Sequence, residues 1–266
     1  MKRMLSTYIS TMRASVRPIW RIRAGRYWEV DALRGVAFVL MAIYHVVWDL
    51  QGLGNFDIEV YTGFWHYEQQ VTANMFIGLA GVSLALRYHR MTAKGSVSYA
   101  PYFRRGVTVF SWGVVIGIAT FLFDPAYYVR FGILHLIGAS ILLAYPFLRF
   151  RWLNLFLGVF LLFLGRVVLW VGLNINWLDW VGLDATPRSA FDYFPLIPWF
   201  GVILIGIFLG NLLYGPEGRR FSIPDLSNLP GIPLLRLMGQ NALLLYLIHQ
   251  PIIIIALTML GLIRPF

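Results

Sequence analysis

The chain has 266 residues, 59% hydrophobic and 17% aromatic, with only 13% charged and a formal net charge of +10. Soluble domains carry about 25% charged residues, so this balance and a mean hydropathy of +0.68 exclude an ordinary soluble enzyme. They indicate an all-α, polytopic membrane helix bundle. The absence of cysteine excludes disulfides, thiolate metal ligands and a cysteine nucleophile.

Residues 1–26 hold seven basic side chains (Lys2, Arg3, Arg13, Arg17, Arg21, Arg23, Arg26) and no acid. They lack the continuous apolar core of a signal peptide. We read them as a basic, partly amphipathic cytoplasmic leader able to lie on anionic headgroups, and residues 27–266 as one transmembrane domain.

Residues 30–50, VDALRGVAFVLMAIYHVVWDL, are long enough to cross a bilayer at ~1.5 Å per residue. Four polar groups interrupt them: Asp31, Arg34, His45 and Asp49. At about 100° per residue all four fall within roughly 60° of one helix face, over about 27 Å of rise. An ionisable group in hydrocarbon costs at least ~2.5–3.5 kcal/mol, so this face is expected to meet protein or a wet cavity. A plainer account places Asp31 and Asp49 at the two interfaces and lets Arg34 snorkel to the headgroups. That account explains His45 worst, because His45 lies about a turn inside the outer end.

Further spans are predicted at about 71–86, 107–123, 132–148, 152–173, 194–213 and 237–262, giving about seven transmembrane helices. Sorting Lys and Arg by side puts 17 with the N-terminus and three (Arg130, Arg188, Arg264) opposite; Arg34 and Arg166 lie within spans. Such alternation at every crossing is a positive-inside signature. It predicts a cytoplasmic N-terminus and a multi-pass protein of the cell (plasma or inner) membrane. The positive charge is thereby explained by topology, which argues against nucleic acid as a partner. Small residues mark packing seams: Asn74, Gly78, Gly81 and Ala85; Gly113 and Gly117; Gly206 and Gly210.

Beyond the first span, His135, His249 and Arg166 lie deep enough for a supporting or substrate-binding role. Pro251 removes a backbone donor beside His249. The five histidines (45, 66, 89, 135, 249) show neither H-x-x-x-H nor H-E-x-x-H spacing, so no metal site is predicted. His45 and Asp49 are four residues apart, which suits half a metal site or, as we prefer, a carboxylate-oriented acid–base pair. Acyl transfer needs such a base for the incoming nucleophile, or a histidine that takes the acyl group itself. Arg34 is suited to anionic phosphates.

The string EVDALRGVAFVLMAIYHVVWDL resembles the opening of bacterial membrane proteins related to the heparan-alpha-glucosaminide N-acetyltransferase catalytic domain, within the transmembrane acyltransferase superfamily. FIGLAGVSLAL, RFGILHLIGASILLAYP, DYFPLIPWFGVILIGIFLG and LYLIHQPI are similar to later landmarks of that family, over roughly residues 27–258. The resemblance implies a multi-pass enzyme moving an acyl group, usually acetyl, from cytosolic acetyl-CoA to an amino or hydroxyl group of a glycan or other small acceptor on the opposite face. Arg34, with Asp31 beside it, would then serve the donor, and His45 with Asp49 the chemistry. In the family's lysosomal member the active histidine comes from the loop after the first span, where this chain offers His66; we favour His45 because Asp49 is close in sequence. The lipid bilayer and acyl-CoA are the expected partners, and a homo-oligomer is compatible with the pattern. The leading alternative is a transporter or proton relay using the same Asp, Arg and His groups, against which the chain shows no inverted repeat. A non-catalytic scaffold is the second.

Overall fold

A computed structural model describes Ile22 and residues 25–186 and 189–264. The remainder of the basic leader, and Arg188 of the predicted outer loop, lie outside the described residues. The helices are α1 (Trp28–Gly54), α2 (Gly63–Ala93), α3 (Ala100–Phe123), α4 (Ile133–Leu143), α5 (Trp152–Val171), α6 (Leu196–Leu213), α7 (Ile232–Gln240) and α8 (Ala242–Met259). A small antiparallel hairpin joins β1 (Tyr214–Gly215) to β2 (Gly218–Arg219). Six helices are long and apolar enough to cross a membrane, and α4 is a shorter apolar one. The protein is an all-α polytopic bundle.

Several boundaries differ from the sequence expectation; the third span, for one, begins at Ala100 and not near 107. The second span extends to Gly63–Ala93, because polar helix formers such as Gln69, Gln70 and Arg87 continue the helix past the apolar window. The fourth stops at Leu143 and passes through a 3-10 turn at Tyr145–Phe147, where Pro146 cannot supply an amide to the α-helical ladder. The last apolar run divides at Asn241, which has φ −111° and ψ 19°. The Asn241 side chain donates to the carbonyl of Leu237 (2.9 Å), a local bond that competes with helix continuation.

Two compact units are formed, Met1–Phe76 with Pro224–Phe266, and Ile77–Ile223, so that α2 contributes to both. In the first, α1 is capped by Asn55 in the left-handed region (φ 55°), its amide returning to the carbonyl of Leu50; asparagine tolerates that conformation better than most residues. α7 lies directly against α1 backbone. A Cβ on Gly35 would collide with the carbonyl of Leu235, and one on Gly239 with the carbonyl of Asp31. α8 packs its buried Ile253 and Leu257 against Ala42, Val46, Leu50 and Leu53 of α1.

In the second unit the small-residue seams fall as expected for close helix packing. Gly81 of α2 faces the backbone of α6 at Ile203 and Gly206, and Gly210 meets Ala85. Gly113 gives way to the ring of His135 on α4. The first turn of α4 is closed by a side chain, and the turn that follows it by two more. Asp192 accepts the amide of Ile133 (2.8 Å) at its start. Beyond its other end Asn211 donates to the carbonyls of Leu148 (3.0 Å) and Phe150 (2.9 Å), and Asn154 to those of Phe147 (3.0 Å) and Phe150. In the loop before α6 the Tyr193 hydroxyl donates to the carbonyl of Asp179 (2.7 Å). Burial, together with the nearby Asp179 and Asp184 carboxylates, pushes that phenol up to about 12, so it remains a donor at neutral pH.

The seam on α1 makes a paired prediction. Gly239→Ala places a methyl into α1 backbone and is expected to destabilise by about 1–3 kcal/mol. Gly52→Ala, whose Cβ meets nothing within 4 Å, should be neutral or stabilising by up to ~1 kcal/mol. Thermal unfolding of the two variants in one detergent checks this; equal Tm values would remove the seam.

Candidate active site

The polar face of α1 resolves into two clusters, one toward each end of the helix. Asp31 anchors the first and is 1% exposed. Its carboxylate accepts from Arg26 through Nε (2.8 Å) and Nη2 (2.6 Å), from Arg34 Nη1 (3.1 Å), and from Gln240 Nε2 at the end of α7 (2.9 Å). Arg34 Nη1 also reaches the carbonyl of Gly239 (3.2 Å), which the absence of a side chain at that position permits. One carboxylate thus faces two guanidiniums. The sequence suggested Asp31 as a donor-binding group; in the structure its lone pairs are committed to holding Arg26, Arg34 and Gln240.

The second cluster lies eleven residues farther along α1, about 16 Å of helix rise. His45 and His249, the latter on α8, meet edge to face with ring centroids 4.8 Å apart and planes at 90°. Phe38 and Tyr246 flank His249 at 6.4 and 5.3 Å. His45 Nδ1 is 2.8 Å from the carbonyl of Met41, and His249 Nδ1 is 2.6 Å from that of Tyr246. A carbonyl oxygen only accepts, so in each ring Nδ1 carries the proton and Nε2 keeps its lone pair. His249 Nε2 is buried without a hydrogen-bond partner among the described residues, as is Gln250 Oε1 beside it. Buried acceptors without donors are uncommon in folded proteins, and the His249 ring that carries one of them lies against His45. What they lack is an N–H or O–H.

Asp49 does not pair with His45 as its spacing suggested. It is fully buried and accepts both bonds from Gln250 Nε2, at 2.8 and 3.0 Å. Here the tertiary partner displaces the local one: α8 presents an amide donor to a carboxylate that burial cannot leave unsatisfied. Asp49 therefore positions Gln250 and α8, and the His45 tautomer is set by its own helix backbone.

The other candidates are placed elsewhere. His66, near the start of α2, is exposed and packs on neighbouring Tyr67. Asn74 is exposed and donates to the carbonyl of Gln70 (2.8 Å), so it stands outside the glycine seam. His135, in the second unit, accepts the amide of Gly132 through Nδ1 (3.2 Å) and stacks on Phe131 at 5.5 Å, which makes it a helix-capping residue. Arg166 is exposed on α5, in keeping with snorkelling. Among the described residues no group of three or more His, Asp or Glu side chains is arranged to hold a metal.

Sequence reasoning missed Gln240, Gln250, Arg26 and Gly239 as members of these clusters. A usable signal was present, since Gln240, Asn241 and Gln250 interrupt an apolar run just as Asp31 and His45 do. Buried amides need partners as surely as charges do.

Compared with known proteins, residues 26–251 match the family model described as heparan-alpha-glucosaminide N-acetyltransferase, catalytic. Both clusters lie wholly inside that span. No curated protein and no solved structure matches the chain.

Asp31→Asn removes the carboxylate that two guanidiniums share. A fully buried pair broken in this way costs ~3–5 kcal/mol. Arg26 retains 30% side-chain exposure, so about 2–3 kcal/mol is expected. Denaturation followed by tryptophan fluorescence reads the loss; an unchanged midpoint would mean that the network does not hold α7 on α1.

Proposed function

Because the chain belongs to the heparan-alpha-glucosaminide N-acetyltransferase catalytic family, and so is a multi-pass membrane transferase, we propose that it uses acyl-CoA, with acetyl-CoA as the first choice. The acyl group goes to an amino or hydroxyl group of a glycan or similar small acceptor. The observation that carries the proposal is the His45–His249 pair, in which both Nε2 lone pairs are available while both Nδ1 protons are held by backbone carbonyls.

In this scheme the acceptor's N–H or O–H lies against the imidazole lone pairs, and His45 Nε2 removes the proton as the nucleophile attacks the thioester carbonyl. The tetrahedral centre collapses with cleavage of the carbon–sulfur bond. The CoA thiolate leaves and takes the proton back from the imidazolium. His249 Nε2 and Gln250 Oε1 accept the acceptor's other hydrogens and fix its orientation. Asp49 takes part indirectly, by holding Gln250.

The anionic donor is assigned to the other cluster. Arg34 is held by Asp31 and the Gly239 carbonyl, and a guanidinium has the sign and geometry that CoA phosphates require. The 17-to-3 distribution of Lys and Arg supports a cytosolic Arg34 end and a His45 end toward the opposite face. That alternation counts α4 and its 3-10 extension as one crossing. We place the protein in the cell (plasma or inner) membrane.

Labelled acetyl-CoA, a panel of amino sugars and the reconstituted full chain test the scheme. His45→Ala should lower transfer by about 10²–10⁴-fold, and His249→Ala should also impair it. His66→Ala should leave it near wild type, and Arg34→Ala should raise the KM for the donor. Full transfer by His45→Ala would overturn the assignment, and its loss in His66→Ala instead would move the base to the loop.

A further inference from the structure

The first unit holds three buried hydrogen-bond acceptors that no described residue supplies with a donor: His249 Nε2, Gln250 Oε1 and Glu68 Oε2. The first two belong to the site already described, and the third does not. Glu68 lies in the second turn of α2. It belongs to a stretch, residues 51–70, that carries Asp57, Glu59 and Glu68 and no Lys or Arg. Its Oε1 accepts from the hydroxyl of Thr72 (2.8 Å), a residue only 6% exposed. Its Oε2 is the only carboxylate oxygen among the described residues that is buried with no partner. Nearby acids are spent otherwise: Asp49 on Gln250 Nε2 (2.8 Å), and Glu59 on the Thr62 hydroxyl (2.5 Å). A carboxylate oxygen taken out of water and left bare is costly, so this position calls for an N–H or O–H from outside the chain.

The surroundings connect Glu68 with the His45 site. Tyr44 precedes His45 on α1, its ring 6.0 Å from the imidazole and at 86° to it. Tyr44 also lies within electrostatic reach of Tyr61 and Glu68, and its hydroxyl has no hydrogen-bond partner among the described residues. One turn on, the Trp48 indole donates to the Tyr61 hydroxyl (3.2 Å), which ties the chain ahead of α2 to α1. Tyrosine and tryptophan each offer a flat apolar face with a polar tip. A small polyfunctional ring thus has aromatic faces to lie on and a carboxylate oxygen to address.

We propose that Glu68 Oε2, with the Tyr44 hydroxyl, is an acceptor-recognition subsite. It takes an N–H or O–H of the acceptor other than the one acylated at His45. The inference rests on the acyltransferase reading above for the kind of molecule bound. It narrows that kind to acceptors with at least two donor groups, such as an amino sugar, over a monofunctional amine or alcohol. Glu68 is assigned no proton transfer and no covalent step.

Glucosamine and cyclohexylamine are the probes, since both bring the amine and only the first brings hydroxyls. Binding of each to the full chain in nanodiscs is titrated by saturation-transfer NMR. The wild type should bind glucosamine the more tightly. E68Q should weaken glucosamine about tenfold and leave cyclohexylamine unchanged, and E59Q should alter neither. In acetyl transfer, E68Q should raise the KM for glucosamine while kcat and the KM for acetyl-CoA stay near wild type; a merely structural role would move all three. No glucosamine binding by the wild type, no effect of E68Q, or equal weakening of both probes overturns the proposal. Thermal unfolding shows whether E68Q remains folded; should it not, Y44F replaces it with the same expectation. Glu68-dependent binding without labelled product would leave the subsite standing and sink the acyltransferase reading, whereas transfer indifferent to E68Q would do the reverse.

Discussion

A carboxylate cannot be left alone at membrane depth, and α1 carries two of them. Asp31 and Asp49 are both almost fully buried, and each is held by a glutamine from the last two helices, Gln240 and Gln250 respectively. Their separation of eighteen residues corresponds to about 27 Å along α1. The two contacts therefore act as a clamp near both ends of one long helix. Gly35 and Gly239 make the clamp sterically feasible at one end by letting α7 backbone touch α1 backbone. At the other end, aliphatic packing of Ile253 and Leu257 on α1 surrounds the polar contact.

The groups proposed for the chemistry are ones that folding does not consume. Both acids are occupied as hydrogen-bond acceptors, and the two guanidiniums at Asp31 are oriented by it. The imidazoles of His45 and His249 differ, because each spends only its Nδ1 proton, on a carbonyl of its own helix. That arrangement fixes the tautomer without placing a charge beside the ring. Pro251 contributes on α8, since it deprives the Leu247 carbonyl of its ordinary donor next to the carbonyl that His249 engages.

The second unit shows the same sorting of polar groups by use. Asn154 and Asn211 are spent on the carbonyls around residues 147–150, and Asp192 on the first turn of α4. His135 caps the helix that carries it. These residues hold the start of a short helix and the turn that follows it.

The helical class, the long first span with its polar face, the glycine seams and the family resemblance could all be read from the chain. Each is a matter of local spacing, and hydrocarbon penalises a misplaced polar group heavily enough for periodicity to show. The placement of His45 near one end of α1 and Arg34 near the other follows from the same arithmetic. Tertiary structure alone decided which partners those groups take. Asp49 chose Gln250 over the histidine one turn away, His45 met His249 from two hundred residues downstream, and the final apolar run broke at Asn241. Spacing along one helix says which side chains share a face. It cannot say which donor another helix will bring to that face, and a buried carboxylate is satisfied by whichever donor packing delivers.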